Sequence, residues 1–164
     1  MTPQKKTVAV GLSGGVDSSL VAALLKHQGY NVIGLTMEIY DGAIKIQETE
    51  KHACYGPGEE EDIELSTELC KKLDIPYHVF DLAKEYEATV LDYFKAEYLV
   101  GRTPNPCVVC NHALKFGFLV DRAKEAGIEF DYFATGHYAQ TEEKDGKVYL
   151  KKAKDSTKDQ TYFL

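Results

Sequence analysis

One stretch limits what this chain can fold into more than any other. GLSGGVDSS fills residues 11–19, directly behind the apolar, β-branched run TVAV. A short strand, a glycine-serine turn and then a helical pattern form a ready anion cradle. Glycines let the backbone approach closely and turn its N–H groups inward, and the helix presents its positive end. The loop is not the G-x-x-x-x-G-K-[ST] phosphate loop of kinases and GTPases, because Asp17 stands where its lysine would be sought. Nor is it G-x-G-x-x-G, which argues against a nicotinamide cofactor. Ser13, Ser18 and Ser19 add hydroxyl donors, and Asp17 is placed to orient the loop or to help hold Mg²⁺. The plainer reading is a strand-to-helix turn with Ser18 as N-cap.

Periodicity extends the pattern. TVAVGL (7–12), NVIGLTM (31–37), IPYHVFDL (75–82) and FDYFATGHY (130–138) read as strands, the last with a loop after it. Helical spacing covers residues 18–28, 61–73, 85–100 and 112–127. Strands alternating with helices imply an α/β fold, a doubly wound and mainly parallel sheet with helices on both faces. Ligands of such sheets sit at the carboxyl ends of the strands. Residues 38–60 carry no clear period and read as a long loop or lid. GRTPNPCVVCN (101–111) reads as an irregular loop punctuated by prolines, and KDGKVYLKKA (144–153) as a hairpin about Asp145-Gly146. DSTKDQTYFL then ends the chain with no turn or cap in the pattern.

Composition enters mainly by exclusion. A net charge of −7 excludes a generally basic coat, yet residues 144–158 hold six lysines against two aspartates. No apolar run is long enough for a membrane span, and MTPQKK is no signal peptide, so the expected setting is cytoplasmic and membrane-free. Four cysteines in 164 residues are few for a disulfide framework, so the close pair Cys107 and Cys110 points to metal binding or catalysis. Cys70, inside a helical pattern, reads as core. His137 reads as a buried, hydrogen-bonded histidine ahead of a phosphate contact, and Tyr86, Tyr93, Phe94 and Tyr98 as core or helix packing rather than base stacking. Arg102 and Lys115 flank the cysteine loop and are candidates for RNA phosphates.

S-G-G-V-D-S resembles the pyrophosphate-binding loop of the PP-loop ATP pyrophosphatases, the adenine nucleotide alpha-hydrolase-like fold. That family cleaves ATP between its α- and β-phosphates and adenylates a substrate oxygen. With GRTPNPCVVCN, ATGHY (134–138) and KDQTYFL (158–164) in that order, the whole chain resembles the tRNA-specific 2-thiouridylases. Thr161 stands where that family most often has serine, which keeps the hydroxyl.

The resemblance implies a tRNA-uridine sulfurtransferase. Gly11, Leu12, Ser13, Gly14, Gly15, Val16, Asp17 and Ser18 would cradle the ATP phosphates, with Mg²⁺ as cofactor. Met37 would meet the adenine and Gly136 the nucleotide. Asn105, Pro106 and Cys107 would contact the target uridine, and Lys158, Asp159 and Gln160 the tRNA. Cys110 would be the catalytic thiol, acting by a disulfide with a downstream persulfide-bearing cysteine or as a base. The partners implied are tRNA and a persulfide donor or relay protein.

Residues 1–164 would then be the PP-loop ATP-binding catalytic domain of a longer enzyme, because the second cysteine and the tRNA-gripping domains do not appear. The C-x-x-C pair leaves metal open. The metal is not fixed by the sequence; among the metal and redox readings, iron–sulfur ligation by Cys107 and Cys110 with the missing cysteine stands ahead of a zinc half-site and a thioredoxin-type pair. Another PP-loop ligase or sulfur transferase, or a non-catalytic nucleotide-binding module, are the alternatives. The oligomeric state is not legible.

Overall fold

The computed structural model describes residues 5–44 and 54–164. Strand β1 (Thr7–Gly11) leads into helix α1 (Val16–His27), and β2 (Asn31–Glu38) into α2 (Glu59–Leu73). Strand β3 (Tyr77–Asp81) precedes a continuous helical stretch. It is made of α3 (Ala83–Tyr86), a π-helical turn (Glu87–Leu91) and α4 (Asp92–Leu99). A second stretch joins α5 (Pro106–Val109), a π-helical segment (Cys110–Phe118) and α6 (Leu119–Glu125) ahead of β4 (Tyr132–Ala134).

The four strands form one parallel sheet in the order β3-β2-β1-β4. The chain therefore steps outward from β1 in one direction and then reverses to lay β4 on the other side. This doubly wound order confirms the fold class read from the sequence. The reversal opens a crevice between the carboxyl ends of β1 and β4.

Alternation along β1 and β2 explains why both faces are covered. Val8, Val10 and Val32 point to one side and pack with Ala22 of α1 and Cys70 of α2. Ala9 and Leu35 point to the other, against Val90, Leu114, Leu119 and Ala123. A side chain buried as fully as Leu114 or Leu119 contributes roughly 2 kcal/mol, so the helix carrying the cysteine pair is held firmly to the sheet. Cys70 is the core residue its helical position implied, 2% exposed.

Several expectations need correction. Residues 101–111 are not wholly irregular. Asn105 caps α5 by accepting the Val108 N–H (3.3 Å), and Pro106 takes the first helical position, where a missing N–H costs nothing. Gly15, not Ser18, is the N-cap of α1. The hairpin begins earlier than its turn suggested, with β5 (Gln140–Lys144) paired to β6 (Lys147–Lys151). The final residues are organised by a turn and a 3-10 helix (Thr161–Phe163), not left uncapped. Of the aromatic series, Tyr86 is buried, but Phe94 and Tyr98 are exposed and pack edge-on against each other, with centroids 4.9 Å apart.

The expected lid at 38–60 falls partly outside the described residues, since 45–53 lie there. Its two described ends are tied together. The Glu59 carboxylate accepts N–H groups from Ile39 and Tyr40 at 2.9 Å, and burial raises its pKa.

Candidate functional site

The turn after β1 is shaped by α2 as much as by its own glycines. Gly14 has φ +70°, and a side chain there would run into the Asp62 backbone, 2.7 Å from its Cα. The Gly14 N–H donates to Ser66 Oγ of α2 (3.2 Å). The serine hydroxyls are turned inward. Ser18 and Ser19 both donate to the Gly15 carbonyl, at 3.1 and 2.8 Å, and Ser13 N–H donates to Ser18 Oγ. Gly15 supplies no side-chain acceptor, so the first turn of α1 carries no side-chain cap. A helix start of this kind favours an anion.

The loop after β4 closes on that turn. A Cβ on Gly136 would lie 2.9 Å from Ser18 N and 3.0 Å from the Asp17 carbonyl carbon. Only glycine permits this approach. Tyr138 then donates its hydroxyl to Asp17 Oδ1 (2.6 Å), and Tyr138 N–H donates to Gln160 Oε1 (2.8 Å). The Gln160 N–H returns to the Tyr138 carbonyl (3.0 Å).

These elements surround a cavity of about 440 Å³. Of the residues expected to bind nucleotide, Gly11, Leu12, Ser13, Gly15, Asp17, Ser18, Met37 and Gly136 line it, and Gln160 joins them. Gly14 packs against α2 instead, and Val16 is 82% exposed. Thr36 is buried below and donates to the Leu12 carbonyl (3.0 Å), which fixes the cradle to β2.

Asn111 joins three of the sequence motifs. Its Nδ2 donates to the Phe163 carbonyl (3.2 Å) and lies 3.3 Å from His137 Nε2. A carbonyl can only accept, so the amide nitrogen faces both partners and Nε2 accepts. His137 then carries its proton on Nδ1 and donates to Thr135 Oγ1 (2.8 Å). Burial, and next the Lys115 charge, hold the His137 pKa below its ordinary value. His137 is the hydrogen-bonded histidine expected. Asn111 was missed, because its partners lie 26 and 52 residues away and no local pattern announces them.

The cysteine pair is split. Cys107 is exposed, whereas Cys110 packs against the core beside Val109, and burial pushes its thiol up to about 11. Lys115 opposes that shift, while Cys54 and Cys107 add to it. In this conformation desolvation outweighs the nearby ammonium, and the thiol stays protonated at neutral pH. All four cysteines are free, so no disulfide forms within the chain.

Asn105 spends its oxygen on the α5 cap, and its N–H donates to the Tyr93 hydroxyl (3.2 Å). Arg102 is paired with Glu97 at 2.6 Å. Lys158 is exposed, and Asp159 accepts from Ala153 N–H and the Thr161 hydroxyl, bracing the tail. Among the described residues no group of three His, Cys, Asp or Glu could hold a metal ion. Two thiols, one exposed and one buried, do not fit an iron–sulfur centre by themselves.

Among the described residues no helix is long and apolar enough to cross a membrane. The model of the tRNA methyl transferase HUP domain family matches residues 6–164. The chain is 48% identical to the tRNA-specific 2-thiouridylase MnmA of Clostridium perfringens, over 98% of this chain and 43% of the relative. It is 51% identical to MnmA 1 of Syntrophus aciditrophicus, over 98% of this chain and 41% of the relative. It is 46% identical to MnmA of Clostridium botulinum, over all of this chain and 44% of the relative. The chain thus spans less than half the length of these curated relatives. With a match across nearly all its residues, the chain belongs to the tRNA methyl transferase HUP domain family and is similar throughout to tRNA-specific 2-thiouridylases.

Proposed function

We propose that this chain is the ATP-binding catalytic part of a tRNA-uridine 2-sulfurtransferase. One observation carries the reading. The loop after β1, the loop after β4 and Gln160 of the tail enclose a single cavity at the sheet's switch point, and Asn111, adjacent to Cys110, ties the cysteine helix to the same two segments.

In this reading the turn at 13–18 and the start of α1 bind the β- and γ-phosphates, and Met37 borders the adenine. The uridine C2 oxygen attacks the α-phosphorus and pyrophosphate leaves. A sulfur nucleophile then attacks C2, the C2–O bond breaks, and AMP departs with that oxygen. Adenylation is needed because a carbonyl oxygen is a poor leaving group and a phosphate ester a good one. Asp17 and Asp62 border the phosphate end of the cavity. They are the carboxylates suited to Mg²⁺, which neutralises phosphate charge when bound and commonly takes one or two carboxylates plus phosphates.

Asn105, Pro106 and Cys107, at the exposed start of α5, are assigned to the target base. Lys158 and Gln160 are assigned to tRNA, with Asp159 holding the tail that presents them. Cys110 is the catalytic thiol, working with a persulfide brought by a donor protein. Its burial at rest requires the cysteine loop to shift when RNA docks. The test is pyrophosphate release by the natural full-length protein. Release that depends on tRNA, and persists in Cys110→Ser while 2-thiouridine formation stops, supports the reading. ADP as product, or release indifferent to RNA, contradicts it.

A further inference from the structure

The cavity holds an unexplained cation. Its described charged lining consists of the carboxylates Asp17, Glu59 and Asp62 and one ammonium, Lys115. Lys115 is half-buried, and no ion pair or hydrogen bond engages its ammonium among the described residues. Lysine is seldom withdrawn from water without a partner. The other lysines and arginines that line cavities or helices here either pair, as Lys6 does with Asp131 and Arg122 with Glu85, or stand in solvent.

Its place in the fold narrows the ligand. Lys115 follows Cys110 by five residues within the π-helical segment Cys110–Phe118, where the hydrogen-bond step is itself five residues. Both side chains therefore serve the same side of the helix. The Lys115 charge reaches Cys110 and His137, lowering the pKa of each. The pyrophosphate cradle is on the opposite wall, at the start of α1. In the adenylating reading the innermost phosphate lies between the cradle for the outer phosphates and the target base.

We propose that Lys115 binds the α-phosphate, holding its nonbridging oxygens while the uridine oxygen attacks and until AMP leaves. The inference rests on the adenylating reading above and assigns that site a side-chain cation beside its carboxylates. Charge on those oxygens is greatest as the fifth bond forms, so the ammonium acts mainly on the transition state and less on ATP binding.

Two measurements on the natural full-length protein test this. In the first, lysine acylation is followed by mass spectrometry with α,β-methylene-ATP and Mg²⁺ as the probe, its binding checked by calorimetry. Lys115 should be protected by the analogue alone. If the analogue binds and Lys115 stays reactive, or if only tRNA protects it, Lys115 is not the α-phosphate ligand. If the wild-type protein does not bind the analogue, the adenylating reading itself fails and this assignment falls with it.

In the second, Lys115→Met, which keeps the apolar stem, should slow single-turnover pyrophosphate release by about 100-fold. Its ATP affinity should change far less, and Lys115→Arg should recover part of the rate. An equal loss of rate and affinity, or no recovery by arginine, would overturn the transition-state role.

Discussion

The Tyr138 hydroxyl donates to Asp17 Oδ1 over 2.6 Å, a contact between residues 121 positions apart. It joins the first turn of α1 to the loop after β4, and the interaction with Asp17 raises the Tyr138 pKa. Asp17 therefore has a structural partner on one oxygen and faces the cavity as well.

That contact predicts coupled effects on nucleotide binding. Tyr138→Phe should weaken ATP affinity by about three- to tenfold through a less fixed Asp17. Asp17→Ala should weaken it further. The double variant should resemble Asp17→Ala, because the tyrosine acts through the aspartate. Calorimetry on the three variants reads this directly; additive losses would mean that Tyr138 touches the nucleotide independently.

The Asn111–His137 arrangement predicts an acid-sensitive fold. His137 is held neutral, with its pKa below 6.5 in the folded chain and near 6.5 in the unfolded one. The unfolded state binds more protons once pH falls below about 6.5, so this contribution is present above that pH and is lost as pH falls toward the folded pKa. Lys115 faces the ring and reinforces the effect, while Asn111 and Thr135 supply neutral partners. Urea unfolding at pH 7.5 and 5.5 should show the loss in the wild type and a smaller one in His137→Asn. Asn111→Leu should cost about 2 kcal/mol at either pH by leaving the Phe163 carbonyl and His137 Nε2 without their donor.

The state of Cys110 predicts selective thiol chemistry. A thiol pushed up to about 11 from 9.0 holds roughly 100-fold less thiolate at neutral pH. Iodoacetamide should modify exposed Cys54 and Cys107 well before Cys110, and the rate at Cys110 should keep climbing above pH 9. Addition of tRNA to the full-length protein should accelerate Cys110 labelling at pH 7.5 as the loop shifts. Labelling as fast as at Cys107 without RNA would contradict the buried, neutral thiol.

Much of this was legible because the relevant physics is local. A β-branched run, glycines and an amphipathic helix define β1, its turn and α1 without any distant partner. Alternating strands and helices then leave few topologies, and the doubly wound order is one of them. That the loops after β1 and β4 would meet at one edge followed from position, since loops at the carboxyl ends of neighbouring strands converge. What was hidden depends on pairing over distance. Nothing near Asn111 says that His137 and Phe163 will meet its amide. Cys110 was singled out through the family resemblance, which says nothing of its burial; only the packing of its helix shows that it lies against the core. The start of α5 was missed for a different reason. The prolines of GRTPNPCVVCN were read only as breakers, whereas Asn105-Pro106 is also a helix start, with a capping oxygen followed by a residue lacking the N–H that would go unpaired.

Adenylation at the uridine oxygen is the centre of the account, and an isotope measurement tests it most directly. A tRNA carrying ¹⁸O at C2 of the target uridine is incubated with the full-length protein, ATP, Mg²⁺ and a persulfide donor, and the AMP is analysed by mass spectrometry. The account predicts 2-thiouridine in the tRNA and the label in the phosphate of AMP, one labelled AMP for each base converted. Thiolated tRNA accompanied by unlabelled AMP, with the ¹⁸O released to water, would show that the base is never joined to the nucleotide and would contradict the account.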